Sequence, residues 1–182
     1  MATAPRSTIP IATPKLPDRL VEGLRRAVAE PAQHAGAYVK LSASGGVHGE
    51  SYEFEYRVDA AGRVSGRLLD ELKGVRVSGA DAGARKGAKP ASAADPKRFA
   101  QAVKAIDIEA LMRSDAPSGG FVPDSVVGRL EVSDGEQTAT FLFQIDDAPA
   151  GRATATAAAP LRRATDAVWS AAAAHFGFDV KP

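Results

Sequence analysis

The segment Ser51–Asp59, SYEFEYRVD, alternates side-chain character without a break. Tyr52, Phe54, Tyr56 and Val58 fall on one side, and Glu53, Glu55 and Arg57 on the other. A period of two suits an extended chain with one face covered and one solvated, and it does not suit a helix. The chain must therefore build a sheet with apolar matter against one side. Antiparallel sheets are the kind that commonly leave the second face to water.

Neighbouring segments extend that sheet. Ala37–Ala43 (AYVKLSA) sets Tyr38 with Lys40 on one face and Val39 with Leu41 on the other. Between these two strands lies LSASGGVHGE, and Gly45–Glu50 is expected to be a strand-connecting hairpin loop. Asp59-Ala60-Ala61-Gly62 reads as a tight turn, with Gly62 at positive φ, leading into a strand over Arg63–Leu69. Leu72–Ser78 extends or pairs with this meander. Asp134-Gly135 is a strong hairpin signal joining Val126–Ser133 to Gln137–Ile145, whose buried stripe is Ala139, Phe141, Phe143 and Ile145.

Helical spacing appears in four places. Leu20, Val21, Leu24 and Val28 recur behind Pro17, and Pro31 ends the run. Asp95-Pro96 is a cap followed by proline in the first turn, ahead of Phe99, Val103 and Ile106. A short helical turn follows at Asp107–Met112. Pro160 opens a last helix carrying Leu161, Ala164, Val168, Ala172 and Phe176, with Trp169 beside them and Gly177 as the stop. Helices and strands come in blocks, which predicts an α+β fold: an antiparallel sheet of about four to five strands packed on one side by helices. Residues 1–15, rich in Pro, Thr and Ala, are expected to be a flexible arm, and 16–182 a single domain. Residues 79–94 (GADAGARKGAKPASAA) hold no apolar side chain larger than alanine or proline and predict a disordered loop.

Little in the sequence looks like chemistry. There is no cysteine, so disulfides, thiolate metal sites and a cysteine nucleophile are excluded. His34, His48 and His175 share no metal-ligand spacing, and no metal is expected. Gly45-Gly46 leads into a strand and is not followed by Lys-Ser/Thr, which argues against a phosphate cradle. Ser44, Ser65, Ser78 and Ser118 lack the Gly-x-Ser-x-Gly elbow. Asp70-Glu71 and Asp146-Asp147 read as solvated turns at strand ends. The expectation is therefore no enzyme and no cofactor.

Net charge is +1, too small to draw nucleic acid or an anionic membrane, and the basic trio Arg85, Lys86 and Lys89 has no aromatic beside it for base stacking. MATAPRSTIPIATPKLPDR has no sustained apolar core, and no apolar run reaches the length of about 20 residues that spans a bilayer. A protein with no leader and no membrane span is expected to be cytoplasmic.

One resemblance bears on function. The strand ending in Ser44-Gly45-Gly46, the strand SYEFEYRVD, the helix FAQAVKAIDIEALM, the hairpin GRLEVSDGEQTATFLF and the helix PLRRATDAVWSAAAA follow one another in an order that resembles the emfourin family. The likeness covers Tyr38 to Phe176. It implies a small bacterial inhibitor of thermolysin-like metallopeptidases of the protealysin type, acting without covalent chemistry. The segment Met1–Glu30, the strand-like Arg63–Ser78 and the Gly79–Ala94 loop are additions to that pattern.

The leading expectation is a non-catalytic protein-binding module, with a metallopeptidase as partner. Its contact candidates are Gly45, Gly46, Val47, His48 and Gly49 in one loop and Phe121 in another (Ser118–Asp124). The alternative is a small-ligand carrier with a pocket between sheet and helices lined by Tyr52, Phe54, Tyr56 and Phe143. A cavity of several hundred Å³ with converging polar groups favours the alternative, and a filled core opposes it.

Overall fold

The computed structural model describes residues 16–47, 50–70, 87–89, 92–114, 126–145 and 159–176. They form, in chain order, α1 (Leu16–Ala29), β1 (Tyr38–Val47), β2 (Glu50–Asp59), β3 (Val64–Asp70), β4 (Gly87–Lys89), α2 (Pro96–Ala105), α3 (Ile108–Arg113), β5 (Val126–Ser133), β6 (Thr138–Ile145) and α4 (Ala159–Phe176). One antiparallel sheet takes the order β4-β3-β2-β1-β5-β6. The fold is α+β, as the alternation and the block order predict.

Register follows from the pleat. Val39 pairs with Val58 and Val132, Leu41 with Tyr56 and Leu130, and Ala43 with Phe54 and Gly128. These residues share the buried face, because a slip by one position would turn every one of them to water. Phe54, Phe143 and Leu130 are each at most 1% exposed, and burial of such a side chain stabilises by about 1.5–3 kcal/mol. The opposite face carries charge in cross-strand pairs. Lys40 Nζ lies 3.3 Å from Glu55 and 3.5 Å from Glu131, Arg67 pairs with Glu53, and the Arg57 guanidinium sits 4.3 Å from the centre of the Tyr38 ring.

The helices close the apolar face. α2 lies against β1 and β2, α4 against α2 and β1, and α1 against α2 and α3. Leu20, Leu24 and Ala27 of α1 are 1% exposed or less and belong to the same core as the sheet. Thr165, fully buried in α4, has its hydroxyl satisfied by the Leu161 carbonyl at 2.9 Å. No helix among the described residues is long and apolar enough to cross a membrane.

Two expectations change. Gly45–Glu50 is largely strand, not loop: Gly45, Gly46 and Val47 pair with Tyr52, Ser51 and Glu50, leaving residues 48–49 as the connection. Backbone pairing propagates through glycine in a two-stranded ribbon, so a glycine pair alone does not mark the turn. Part of the 79–94 stretch is also ordered. Gly87–Lys89 pairs with Gly66–Leu68, and Ser92 donates its N–H to the Val64 carbonyl at 2.8 Å. Main-chain hydrogen bonds recruit these residues to the β3 edge, so no side-chain period announces them, and the sheet has six strands where about four to five are expected. Residues 79–86 and 90–91, the arm at 1–15 and the expected strand Leu72–Ser78 lie outside the described residues.

Candidate functional site

Where α2 and α4 approach over β2 and β3, their facing ridges are made of alanine. α2 presents Arg98, Gln101, Ala102 and Ala105, at i, i+3, i+4 and i+7, and α4 presents Ala167, Ala171 and Ala174 with Val168 and His175. Side chains that stop at Cβ cannot fill the groove between two helices. A cavity of about 520 Å³ remains, floored by Tyr56, Val58 and Val64.

One end of this cavity is polar, and local rules explain why. Gly62 closes the β2–β3 turn at φ +71, a conformation that costs glycine nothing. Asp95 caps α2 by accepting the Lys97 N–H at 3.2 Å. That cap places Arg98 in the first turn, where its Nη1 donates to the Ala93 carbonyl at 2.8 Å, to Ser92 Oγ at 3.0 Å and to the Gly62 carbonyl at 3.4 Å. Ser92 Oγ also accepts the Val64 N–H at 3.0 Å. The guanidinium is thus pinned through Nη1, while Nη2 makes no hydrogen bond among the described residues.

Tyr56 is 3% exposed, and burial pushes its phenol above the ordinary tyrosine range, with the Arg98 charge pulling the other way. The group is therefore neutral at physiological pH and available as a donor. No described residue hydrogen-bonds its hydroxyl. His175, which also lines the cavity, packs edge-on to the Tyr56 ring, with centroids 6.0 Å apart, and to Phe176 at 5.1 Å. His175 is the basic residue of the last turn of α4, as its position in the sequence suggests.

The expected site residues are divided by this geometry. Of the aromatic stripe, Tyr56 reaches the cavity, whereas Phe54 and Phe143 are sealed in the core; the Tyr52 side chain lies outside the described residues. Gly45, Gly46 and Val47 belong to β1, and His48, Gly49 and Phe121 lie outside the described residues. Sequence reasoning misses Ser92, Arg98 and Gln101. The signal of Arg98 and Gln101 is faint, polar residues on the face of α2 that also carries Ala102 and Ala105, and Ser92 precedes the helix and has none. Among the described residues no three His, Asp or Glu side chains converge as metal ligands would.

Neither the protein-family models nor the curated proteins compared with the chain match it.

Proposed function

We propose that this chain is a non-catalytic ligand-binding domain whose site is the cavity between α2, α4 and the β2–β3 end of the sheet. The observation that carries this reading is the cavity itself, about 520 Å³ with a wall mostly of alanine and valine and a few polar groups, Ser92, Arg98, Gln101, Tyr56 and His175, among them. Small-molecule sites are commonly clefts of about 300–1,000 Å³ built in that way. Binding without turnover fits the polar groups present. Ser92 is held by the Val64 N–H and Arg98, and its hydroxyl donates to the Ala93 carbonyl at 3.3 Å, an arrangement that orients the loop and does not activate a nucleophile. The buried phenol of Tyr56 holds its proton and makes a poor base.

The test uses a neutral apolar fluorophore, N-phenyl-1-naphthylamine. Native protein should bind it saturably near one equivalent, and Ala171→Trp, which places an indole between the helices, should abolish binding with circular dichroism unchanged. Absence of saturable binding in the native protein removes the reading, as does undiminished binding in a folded Ala171→Trp variant.

A specific observation favours a second reading, the metallopeptidase inhibitor that the emfourin resemblance implies. β1 pairs with β5 as far as Ser44↔Val127, and β2 with β3 as far as Tyr52↔Asp70. Beyond those positions Gly45–Val47 and Glu50–Ser51 pair with each other, so the ribbon extends past its neighbouring described strands. The end of a two-stranded hairpin suits insertion into a cleft. Reversible inhibition of a thermolysin-like peptidase, lost in Val47→Asp, is the expected result. Full peptidase activity at micromolar excess of native protein removes this second reading.

A further inference from the structure

The proposed site says more than that something binds. Of the described side chains lining it, Arg98 is the one that carries a permanent charge, and no Asp or Glu is among those described. Among the described residues the carboxylate paired with it is Asp95, which stands 4.0 Å from Arg98 Nε, is about half exposed, and is engaged in capping α2. The cationic end is therefore only partly compensated. Beyond Arg98, Ser92 and Tyr56, the lining is Cβ methyl groups and valine, with Gln101 and His175 as its other polar side chains. Arg98 and Tyr56 both line the cavity, and among the described residues neither Arg98 Nη2 nor the Tyr56 hydroxyl has a protein acceptor. Two donors and a positive charge match the two oxygens of one carboxylate, since a guanidinium fork and a carboxylate are complementary in both charge and plane. The Nη1 bonds to Ala93, Ser92 and Gly62 hold that fork in place before any ligand arrives.

On the reading that this cavity is a ligand site, we propose that its ligands are amphiphilic carboxylates, with the carboxylate at Arg98 and Tyr56 and an aliphatic or aryl body lying between the alanine ridges of α2 and α4. A cationic amphiphile would meet Arg98 unpaired, and a neutral alcohol would forgo the charge-assisted hydrogen bonds.

The experiment is displacement of N-phenyl-1-naphthylamine from the full chain by decanoate, decan-1-ol and decyltrimethylammonium, each below its micelle concentration. Decanoate should compete at least about tenfold better than decan-1-ol, the range set by hydrogen bonds to charged groups. The ammonium compound should be the weakest of the three. Arg98→Met should lower decanoate affinity by about tenfold or more and leave decan-1-ol nearly unchanged. Because Arg98 also ties down the Gly62 and Ala93 carbonyls, folding is checked by circular dichroism, and Tyr56→Phe serves as a second variant. It should weaken decanoate severalfold with the alcohol unaffected.

Equal competition by acid and alcohol overturns the carboxylate assignment, and so does unchanged decanoate affinity in both variants. If the dye binds and none of the three amphiphiles displaces it, this inference falls and the ligand-binding reading stands. If the dye does not bind at all, both fall.

Discussion

At the scale of the residue, Tyr56 and Gly62 each make a measurable commitment. Burial raises the Tyr56 phenol pKa above its unfolded value, so the folded state holds that proton more tightly. The associated stability is fully present below about pH 10 and is lost as pH rises through the folded pKa, because the unfolded chain ionises first. Stability of the native protein should fall more steeply above about pH 10 than that of Tyr56→Phe, measured by urea unfolding across the alkaline range; parallel curves would contradict the assignment. Gly62 stands at positive φ, and a Cβ there would overlap the Asp95 carbonyl. Gly62→Ala should cost at least about 1–2 kcal/mol from backbone conformation, and more from the overlap that moves the cap of α2. Gly62 was legible in the sequence, since the Asp-Ala-Ala-Gly turn has a known chemistry. Arg98 was not, because nothing local separates a charged residue that faces water from one whose Nη1 is bound by a turn and a loop from distant parts of the chain.

At the scale of the element, α2 shows how a cap can serve a site. Asp95 accepts the Lys97 N–H, and Arg98 N donates to the Asp95 carbonyl at 2.9 Å, so the first turn is fixed at the mouth of the cavity. Asp95→Ala should lower stability by about 0.5–2 kcal/mol in thermal unfolding. It should also weaken ligand binding, since fraying would release Arg98. An unchanged melting temperature would show the cap to be redundant with Pro96. The strands β2, β5 and most of β3 were readable because their side chains alternate, and α1 and α4 because apolar residues recur at helical spacing. β4 and the far end of β1 were not. GAK and SGGV have no pattern to read, and their order comes from main-chain partners on β3 and β2, a tertiary effect outside any local window.

At the scale of the whole molecule, α1 joins the sheet into one cooperative body, although against the emfourin pattern it reads as an addition. Leu20, Leu24 and Ala27 enter the common core, and Gly23 stands where the Asp134 carboxylate comes close enough that any Cβ would strike it. Asp134 is 8% exposed and holds the β5–β6 turn: its Oδ1 accepts the Glu136 N–H at 2.8 Å and the Gln137 N–H at 2.7 Å, while Gly135 takes φ +100. A helix and a hairpin more than a hundred residues apart in sequence thus meet where Gly23 leaves no room for a side chain against Asp134. Gly23→Val should force α1 and the turn apart and cost about 1–3 kcal/mol, as overfilled contacts do. For a chain of this length that is about 2–4 °C of melting temperature per kcal/mol. Loss of α1 exposes core leucines that also pack on α2 and α3, so unfolding should remain a single transition at lower temperature, with far-UV and near-UV signals coincident. An early, separate transition of α1, leaving the sheet's near-UV signal in place, would show instead that the helix is an independently docked appendage.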